Sequence, residues 1–444
     1  MVSSPFMQTD VIVIGAGVAG LAAAGILASR GFSVSVFEKS VSIGGRARVV
    51  VHNGFVLDYG IHFARFANHG KMAAALRAMN KKIEFQVPEP MQVLINGAFV
   101  PTPHRTRSLF TTPLLSDPAR QKIIEFIMSG GPFKMPASKN KSVQDLLDDY
   151  HVEKEIQNFL LLYIFPGFVT VDLDEVSSAE ARTFGRKVMK VHFRKGSPVG
   201  YPKGGWKIFF ETAKKRIEKN GAIRCSTPVR KILFKNGKAV GVEIDEGVIY
   251  AKAVIGTIPG RQLHRIMDTS MLGSGWDQKL RRIIPTSGIS IDLCLKRRIT
   301  ETTCVVASTN PPLLGAFPSN IEQSLAPKNK QLATFFTPIS PRFIHDKNEV
   351  EQSERILRDM MNKMFPGIFN EVEYERRIVH PIVDGALPMV GQTWQDRPPV
   401  VTKIPGLFLA GDWTAGKGAG SDIAFDSGIT AARSVAKYLT AELK

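Results

Sequence analysis

Cysteine is scarce: the 444 residues contain three, Cys225, Cys294 and Cys304, scattered and with no C-x-x-C pair. A bridge between any two would leave the third unpaired, so a disulfide framework is excluded and a reducing compartment fits best. A long apolar run is also lacking. The nearest to one, Phe159 to Val171, is too short to span a bilayer and is broken by Pro166 and Gly167. The opening MVSSPFMQTD has neither a charged segment nor an apolar core, so no secretory signal is expected and the location expected is cytoplasmic. Internal repeats and low-complexity segments are absent, and no metal site is expected. Acids are in deficit: 40 Asp or Glu face 58 Lys or Arg, for a formal charge of +18. What is there is a globular composition, 44% hydrophobic and 22% charged, in a chain long enough that two domains are the default.

The chemistry-bearing motif comes first in the chain. Val11 to Ile14 is a run of β-branched residues suited to a strand buried on both faces of a parallel sheet, and it ends in glycine. Gly15, Gly17 and Gly20 have the G-x-G-x-x-G spacing: a tight turn, a close backbone approach to a pyrophosphate, and a close helix–strand contact. An Ala-rich helix is predicted from about Val18 to Ser29, its N-terminal N–H groups aimed at the phosphates. Gly31 closes it, Ser33 to Phe37 reads as the second strand, and Glu38 stands where an acid accepts hydrogen bonds from an adenosine ribose. Glycine turns without ligands are common, but the complete order of strand, glycines, helix, strand and acid is not. NAD and FAD both remain open at this point. The GGRAR that follows offers backbone access at Gly44 and Gly45 and guanidinium forks at Arg46 and Arg48, which points away from a simple NAD dehydrogenase.

Gly15, Gly17, Gly20, Glu38, Gly44, Gly45 and Arg46 together resemble the N-terminal pattern of the flavin-dependent amine oxidases, protoporphyrinogen oxidases and carotenoid (phytoene) desaturases. The resemblance is nearest in character to the phytoene desaturase-like branch. It implies an α/β, two-domain FAD-dependent oxidoreductase, with a Rossmann-like FAD domain built on a mostly parallel sheet and an inserted α+β substrate domain. It assigns Ala16, Val18, Ala19, Lys39, Ala47 and Arg48 to the cofactor beside the residues already named, and places Gly60, Ile61 and His62 of LDYGIHFARFANHG near the flavin ring. His62 as a satisfied loop residue is an equal alternative. YPKGGWKIFFETAKKRIEKNGAIRCSTPVRKI is similar to the family's Pro-x-Gly-Gly turn, helix and returning strand, and implies adenine contact through the backbone of Val229. IPGLFLAGDWTAGKGAGSDIAFDSG resembles the closing motif: a strand from Leu407 to Ala410, Gly411 and Asp412 beside the ribityl chain and phosphates, then a helix starting near Ser421. Ser421 is expected to cap that helix, with Asp422 and Ile423 in the first turn at the flavin pyrimidine edge. With no cysteine in the closing motif, FAD is expected to be non-covalent.

The motifs fall at the start, middle and end of the chain. The expected FAD domain is therefore discontinuous, 1–70, 201–270 and 391–444, with 71–200 and 271–390 forming the substrate domain. A hairpin is predicted around Asn96-Gly97 and an amphipathic helix in NEVEQSERILRDMMNKMFPGI, stopped by Pro366. No second strand-linked G-x-G-x-x-G offers a dedicated pyridine nucleotide site. The excess charge is concentrated: Ala181 to Lys238 carries 17 Lys or Arg against Glu211 and Glu218. Its bases interleave with Phe184, Phe193, Trp206, Phe209 and Phe210, which suits peripheral contact with an anionic membrane, Arg186, Lys187, Lys190 and Arg194 supplying charge; a solvated basic face is the bland alternative. No nucleic-acid module accompanies the charge.

Between Gly411-Asp412 and the final helix, the segment TAGKGAGSD adds no aromatic residue to Trp413, which stands next to Asp412; this counts against the aromatic cage of a conventional amine oxidase. The expected substrate is a lipophilic isoprenoid or polyene exchanging hydride with flavin N5, His62 or Asp384 handling the proton. FLLLYIFPGF, Phe159 to Phe168, reads as a tunnel lining or, more simply, a buried core helix. Amine or protoporphyrinogen oxidation, a redox-neutral polyene isomerisation, and a flavoprotein without turnover are the other readings.

Overall fold

The structure is a computed structural model that describes residues 8–59, 63–95, 97–195 and 199–442. The β-branched run forms the strand Gln8–Ile14, paired in parallel with Val34–Phe37 on one side and Gly247–Gly256 on the other. Val11, Ile12 and Val13 are completely buried, as a strand covered on both faces requires. Ala222–Arg224 extends the sheet in parallel beyond Val34–Phe37, and Leu407–Leu409 lies parallel to the C-terminal half of Gly247–Gly256. The N-terminal half of that strand instead pairs antiparallel with Lys238–Ile244, which turns back onto Lys231–Lys235.

The helix Val18–Ser29 is buried along most of its length because its residues are small. A Cβ on Gly25 would lie 3.3 Å from Ala213 Cα of the helix Lys207–Ile217, and one on Gly428 would lie 2.5 Å from Ala19 O. Glycine thus lets the first helix approach both neighbours, Lys207–Ile217 and the closing helix Gly420–Glu442, at backbone distance.

A second sheet runs in the order Val372–His380, Gly288–Leu295, Gln331–Pro338, Pro312–Ala316, Val306–Thr309, Gln92–Ile95, Ala98–Pro101. Its pairings are antiparallel except Val306–Thr309 with Gln92–Ile95. The hairpin 92–101 closes through Gly97 in the left-handed region; Asn96 lies outside the described residues. The amphipathic helix is Lys347–Met364, capped by the Asp346 carboxylate and buried through Val350, Leu357, Met361 and Met364. Phe159–Phe168 belongs to the helix Lys154–Phe168, whose Phe165 packs with Ala307, Leu314 and Phe336: a core helix.

Two expectations need correction here. Trp206, Phe209 and Phe210 do not face a membrane; they are at most 5% exposed and form part of the core against the first helix. Helical periodicity turns the bases of Lys207–Ile217 outward and these rings inward. Nor can Ser421 cap the closing helix, which begins one residue earlier, at Gly420. Among the described residues, no helix is long and apolar enough to cross a membrane.

Candidate active site

Steric demands build the glycine turn. Gly15 has φ +103°, and a Cβ on Gly20 would lie 2.1 Å from Gly15 O, so both positions exclude a side chain. At Gly17 nothing lies within 4 Å of an ideal Cβ: the turn leaves open space there. No side chain caps the first helix and no acid stands in its first turn, so its positive end is left to an external anion. The loop 44–48 folds against this opening: Gly44 bridges to Gly17, and Gly45, at φ +57°, approaches within Cβ reach of Gly17 Cα. Glu38 is buried at the end of the second strand, where one carboxylate oxygen accepts from Ala16 N–H at 2.7 Å and the other from Ser40 N–H at 2.8 Å. Thr227 N–H donates to Glu38 O, which brings the segment carrying Val229 beside it. Ala16, Ala19 and Ala47 are buried at the turn, Val18 is half-buried, and Lys39 is exposed.

The closing motif meets this turn through Arg46. Its guanidinium donates both Nη groups to Asp412, at 2.7 and 2.8 Å, and Nη1 also to Val383 O. Asp412 is nearly fully buried and accepts a third bond from Gly385 N–H at 2.6 Å. Gly411, at φ +149°, is held by its N–H to Ser427 Oγ. Arg397 and Glu180, both 1% exposed, form an ion pair beneath the loop, from which Arg397 donates to the carbonyls of Asp412 and Gly416. Trp413 is buried in the core with Ile12 and Ile14, its ring over Gly260.

Asp384 lies at the junction. A Cβ on Gly420 would come 2.4 Å from Asp384 Oδ1, so the carboxyl abuts the start of the closing helix. Burial pushes its pKa up to about 6, Asp412 adds to the rise, and Arg65 and Arg46 oppose it. Asp422, 3% exposed, accepts from Lys71 N–H at 3.0 Å and pairs with Lys187, whose ammonium also lies 4.3 Å from the Phe66 ring centre. This corrects the assignment of Lys187 to a membrane face: the helix Ser178–Lys195 directs it inward. Ile423 is buried and Ser421 half-buried.

The structure therefore joins Gly15 to Gly20, Glu38, Gly45 to Arg48, Asp384, Gly411, Asp412 and the start of the closing helix in one connected set of contacts. Gly60, Ile61 and His62 lie outside the described residues. Just before them, the Tyr59 ring carries the Arg48 guanidinium 4.0 Å from its centre. Arg65, Lys187, Glu180 and Arg397 are residues of this region that sequence reasoning did not assign to it: Arg65 stands three residues past His62 in LDYGIHFARFANHG and Lys187 reads as part of the basic segment, while no local pattern signals Glu180 or Arg397.

FAD fits these residues. The open position at Gly17, the uncapped helix end and the exposed Arg46 guanidinium suit a pyrophosphate, and the buried carboxylate of Glu38 suits a ribose. Structures of matching fold include an oxidoreductase from Methanosarcina mazei, with TM-score 0.80 at 23% identity over 96% of this chain and 99% of that one. Putrescine oxidase matches with TM-score 0.71 at 15% identity, covering 98% of this chain and all of that one. Fold and site together define a two-domain α/β dinucleotide-binding oxidoreductase. The chain belongs to the flavin-containing amine oxidoreductase family, whose model matches residues 18–436, and its cofactor is FAD. Among relatives, a chloroplastic prolycopene isomerase of Daucus carota is 26% identical over 428 residues, 82% of this chain and 68% of that protein. The all-trans-retinol 13,14-reductase of Homo sapiens is 24% identical over 68% of this chain and 56% of its own length. Protoporphyrinogen oxidase 2 of Arabidopsis thaliana is 31% identical over 38% of this chain and 34% of its own.

Proposed function

We propose that the protein transfers hydride between FAD and a carbon centre of a lipophilic isoprenoid or polyene, adding, removing or moving double bonds in the manner of a phytoene desaturase-like enzyme. The observation that carries this reading is the fate of Trp413. It is the sole aromatic residue from Gly411 to Ile423, and its 1% exposure in the core leaves the closing segment without a ring to cage an amine. The relatives named for prolycopene and retinol support a polyene as the substrate class. The discontinuous division into 1–70, 201–270 and 391–444 against 71–200 and 271–390 belongs to the same reading.

FAD, when bound, supplies a two-electron acceptor and donor of hydride. The protein's own work is holding and proton handling. Glu38 and the glycine turn fix the adenosine end, and Arg46, locked by Asp412, supplies positive charge toward the phosphates. Arg397 pins the loop carbonyls so that the closing helix points its N-terminus at the site, where it favours negative charge. Asp384, with a pKa near neutrality and its carboxyl against that helix, can hold or release the proton that accompanies hydride movement.

The test is anaerobic. FAD-loaded protein is mixed with detergent-dispersed polyenes and, separately, with primary amines and polyamines, while flavin absorbance is followed and products are weighed by mass spectrometry. Polyene-dependent bleaching, or products changed by two hydrogens, supports the reading. Bleaching by amines alone replaces it with amine oxidation. The likeness to prolycopene isomerases over most of the chain favours one second reading, redox-neutral isomerisation, which would yield isomers of unchanged mass. A lipophilic substrate also implies a peripheral membrane location for the enzyme.

A further inference from the structure

We propose that a specific surface docks the protein on an anionic bilayer: the end of the helix Asp117–Met128, the turn Gly131–Phe133 and the outer face of the helix Ser178–Lys195. The purpose of such a contact rests on the reading of a lipophilic substrate, but its evidence is the surface itself. Three large apolar side chains stand in solvent here, Met128 77% exposed, Phe133 40% and Phe126 37%. Phe126 and Met189 meet at Gly131, next to the turn that carries Phe133: an ideal Cβ on Gly131 lies 3.6 Å from Met189 Sδ and 3.9 Å from Phe126 Cε1, and Met128 ends the helix that carries Phe126.

Cations ring the patch. Arg186 Cζ and Lys190 Nζ each lie 5.9 Å from the Phe133 ring centre, and Arg186 also donates to Phe133 O. The Lys134 stem folds over Gly130. Acids are nearly missing: residues 118–144 contain one, Glu125, hydrogen-bonded to Gln121, and residues 181–195 contain none. Lys139 and Lys141 are engaged by Asp396 and Asp149, and Lys187 by Asp422; Lys134 and Lys190 are the lysines beside the rings. Phe193 and Arg194, expected to contribute, have side chains outside the described residues. Exposed apolar side chains beside bases, with Glu125 the one acid in residues 118–144 and 181–195, match an interface of hydrocarbon and anionic headgroups. The basic segment read from sequence is thus divided by the fold: Trp206, Phe209 and Phe210 go to the core, and the apolar part of the contact comes from an earlier helix.

FAD-loaded protein is sedimented with phosphatidylglycerol-containing vesicles and with pure phosphatidylcholine vesicles. Binding to the former at low salt, weak binding to the latter, and loss at high salt are expected. F126S/M128S/F133S and K134E/K190E should each weaken binding about tenfold or more, while K328E/K363E, with the same change in net charge at exposed sites elsewhere, should stay within about twofold. F133W should be quenched by brominated lipid. No binding by the parent protein, an equal loss in K328E/K363E, or no quenching of F133W overturns the proposal. Soluble polyene assays on the same variants judge the chemistry separately.

Discussion

Asp384 is a carboxyl that burial and three charged neighbours pull in opposite senses. Burial and Asp412 raise its pKa to about 6, while Arg65 and Arg46 restrain the rise. A raised acid pKa means that the folded state holds the proton more tightly than the unfolded chain, so stability is greatest at low pH and falls as pH rises from about 4 to about 6. Asp384→Asn should remove that fall, seen as a smaller difference between denaturant midpoints at pH 5 and pH 8. If Asp384 moves the proton, the same substitution should lower turnover about 100-fold or more and abolish the pH-rate limb near 6 without changing FAD content. An unaltered profile would remove it from the mechanism. Glu38 is the matching test of cofactor binding: its two backbone partners are lost in Glu38→Ala, and FAD should dissociate about 10- to 100-fold more readily, since a charge-assisted hydrogen bond contributes about 1.5–3 kcal/mol. Release of bound FAD on dilution, followed by fluorescence, checks this.

Two elements carry opposite lessons about helix starts. Lys347–Met364 begins conventionally, with the Asp346 carboxylate accepting from the N–H groups of Asn348 and Glu349. Asp346→Ala should cost about 1 kcal/mol, and Leu357→Ala, which empties a fully buried site beneath the second sheet, about 2–5 kcal/mol. Denaturant unfolding with flavin fluorescence separates the two. The closing helix instead begins at Gly420, whose φ of +51° disfavours a side chain and whose missing Cβ gives Asp384 its place. Gly420→Ala should therefore displace Asp384 as well as strain the turn, and its expected signature is a shifted pH-rate profile together with lower stability. A loss of stability alone would separate the helix start from proton handling.

Across the whole molecule, a buried polar network joins the second sheet to the hairpin strand Phe55–Asp58 and to the strand Val199–Pro202. Asp58 accepts from the Tyr201 hydroxyl, Arg376 of the second sheet donates to the Asp58 carbonyl, and Arg376 also pairs with the fully buried Asp292. Burial, and then the like charge of Asp292, pushes Asp58 up to about 7 against the opposing effects of Tyr201 and Arg376. The same sign applies: the network is most favourable with Asp58 protonated, and stability is lost as pH rises from about 4 to about 7. At about 1.4 kcal/mol per pH unit, an upper bound of about 4 kcal/mol is at stake over that window. Asp58→Asn keeps an acceptor for Tyr201 and should flatten this dependence, measured by unfolding across pH 5 to 8.

The sequence by itself determined the parts whose cause is local. A β-branched run ending in Gly15, the spacing to Gly17 and Gly20, the small residues of Val18–Ser29 and the acid at Glu38 are each dictated by sterics within one βαβ unit, and each lies where the pattern requires. The periodicity of Lys347–Met364 and the turn at Gly97 were legible for the same reason. Tertiary structure decided the rest. Arg46 and Asp412 meet across 366 residues, Lys187 and Asp422 across 235, and Glu180 and Arg397 across 217, distances over which no periodicity carries information. Composition could count the bases of 181–238 but could not say which faced inward. Desolvation decides that: rings at one helical face gain by leaving water, as Phe209 and Phe210 do, and a lysine is drawn inside only where a buried carboxylate such as Asp422 already waits for it.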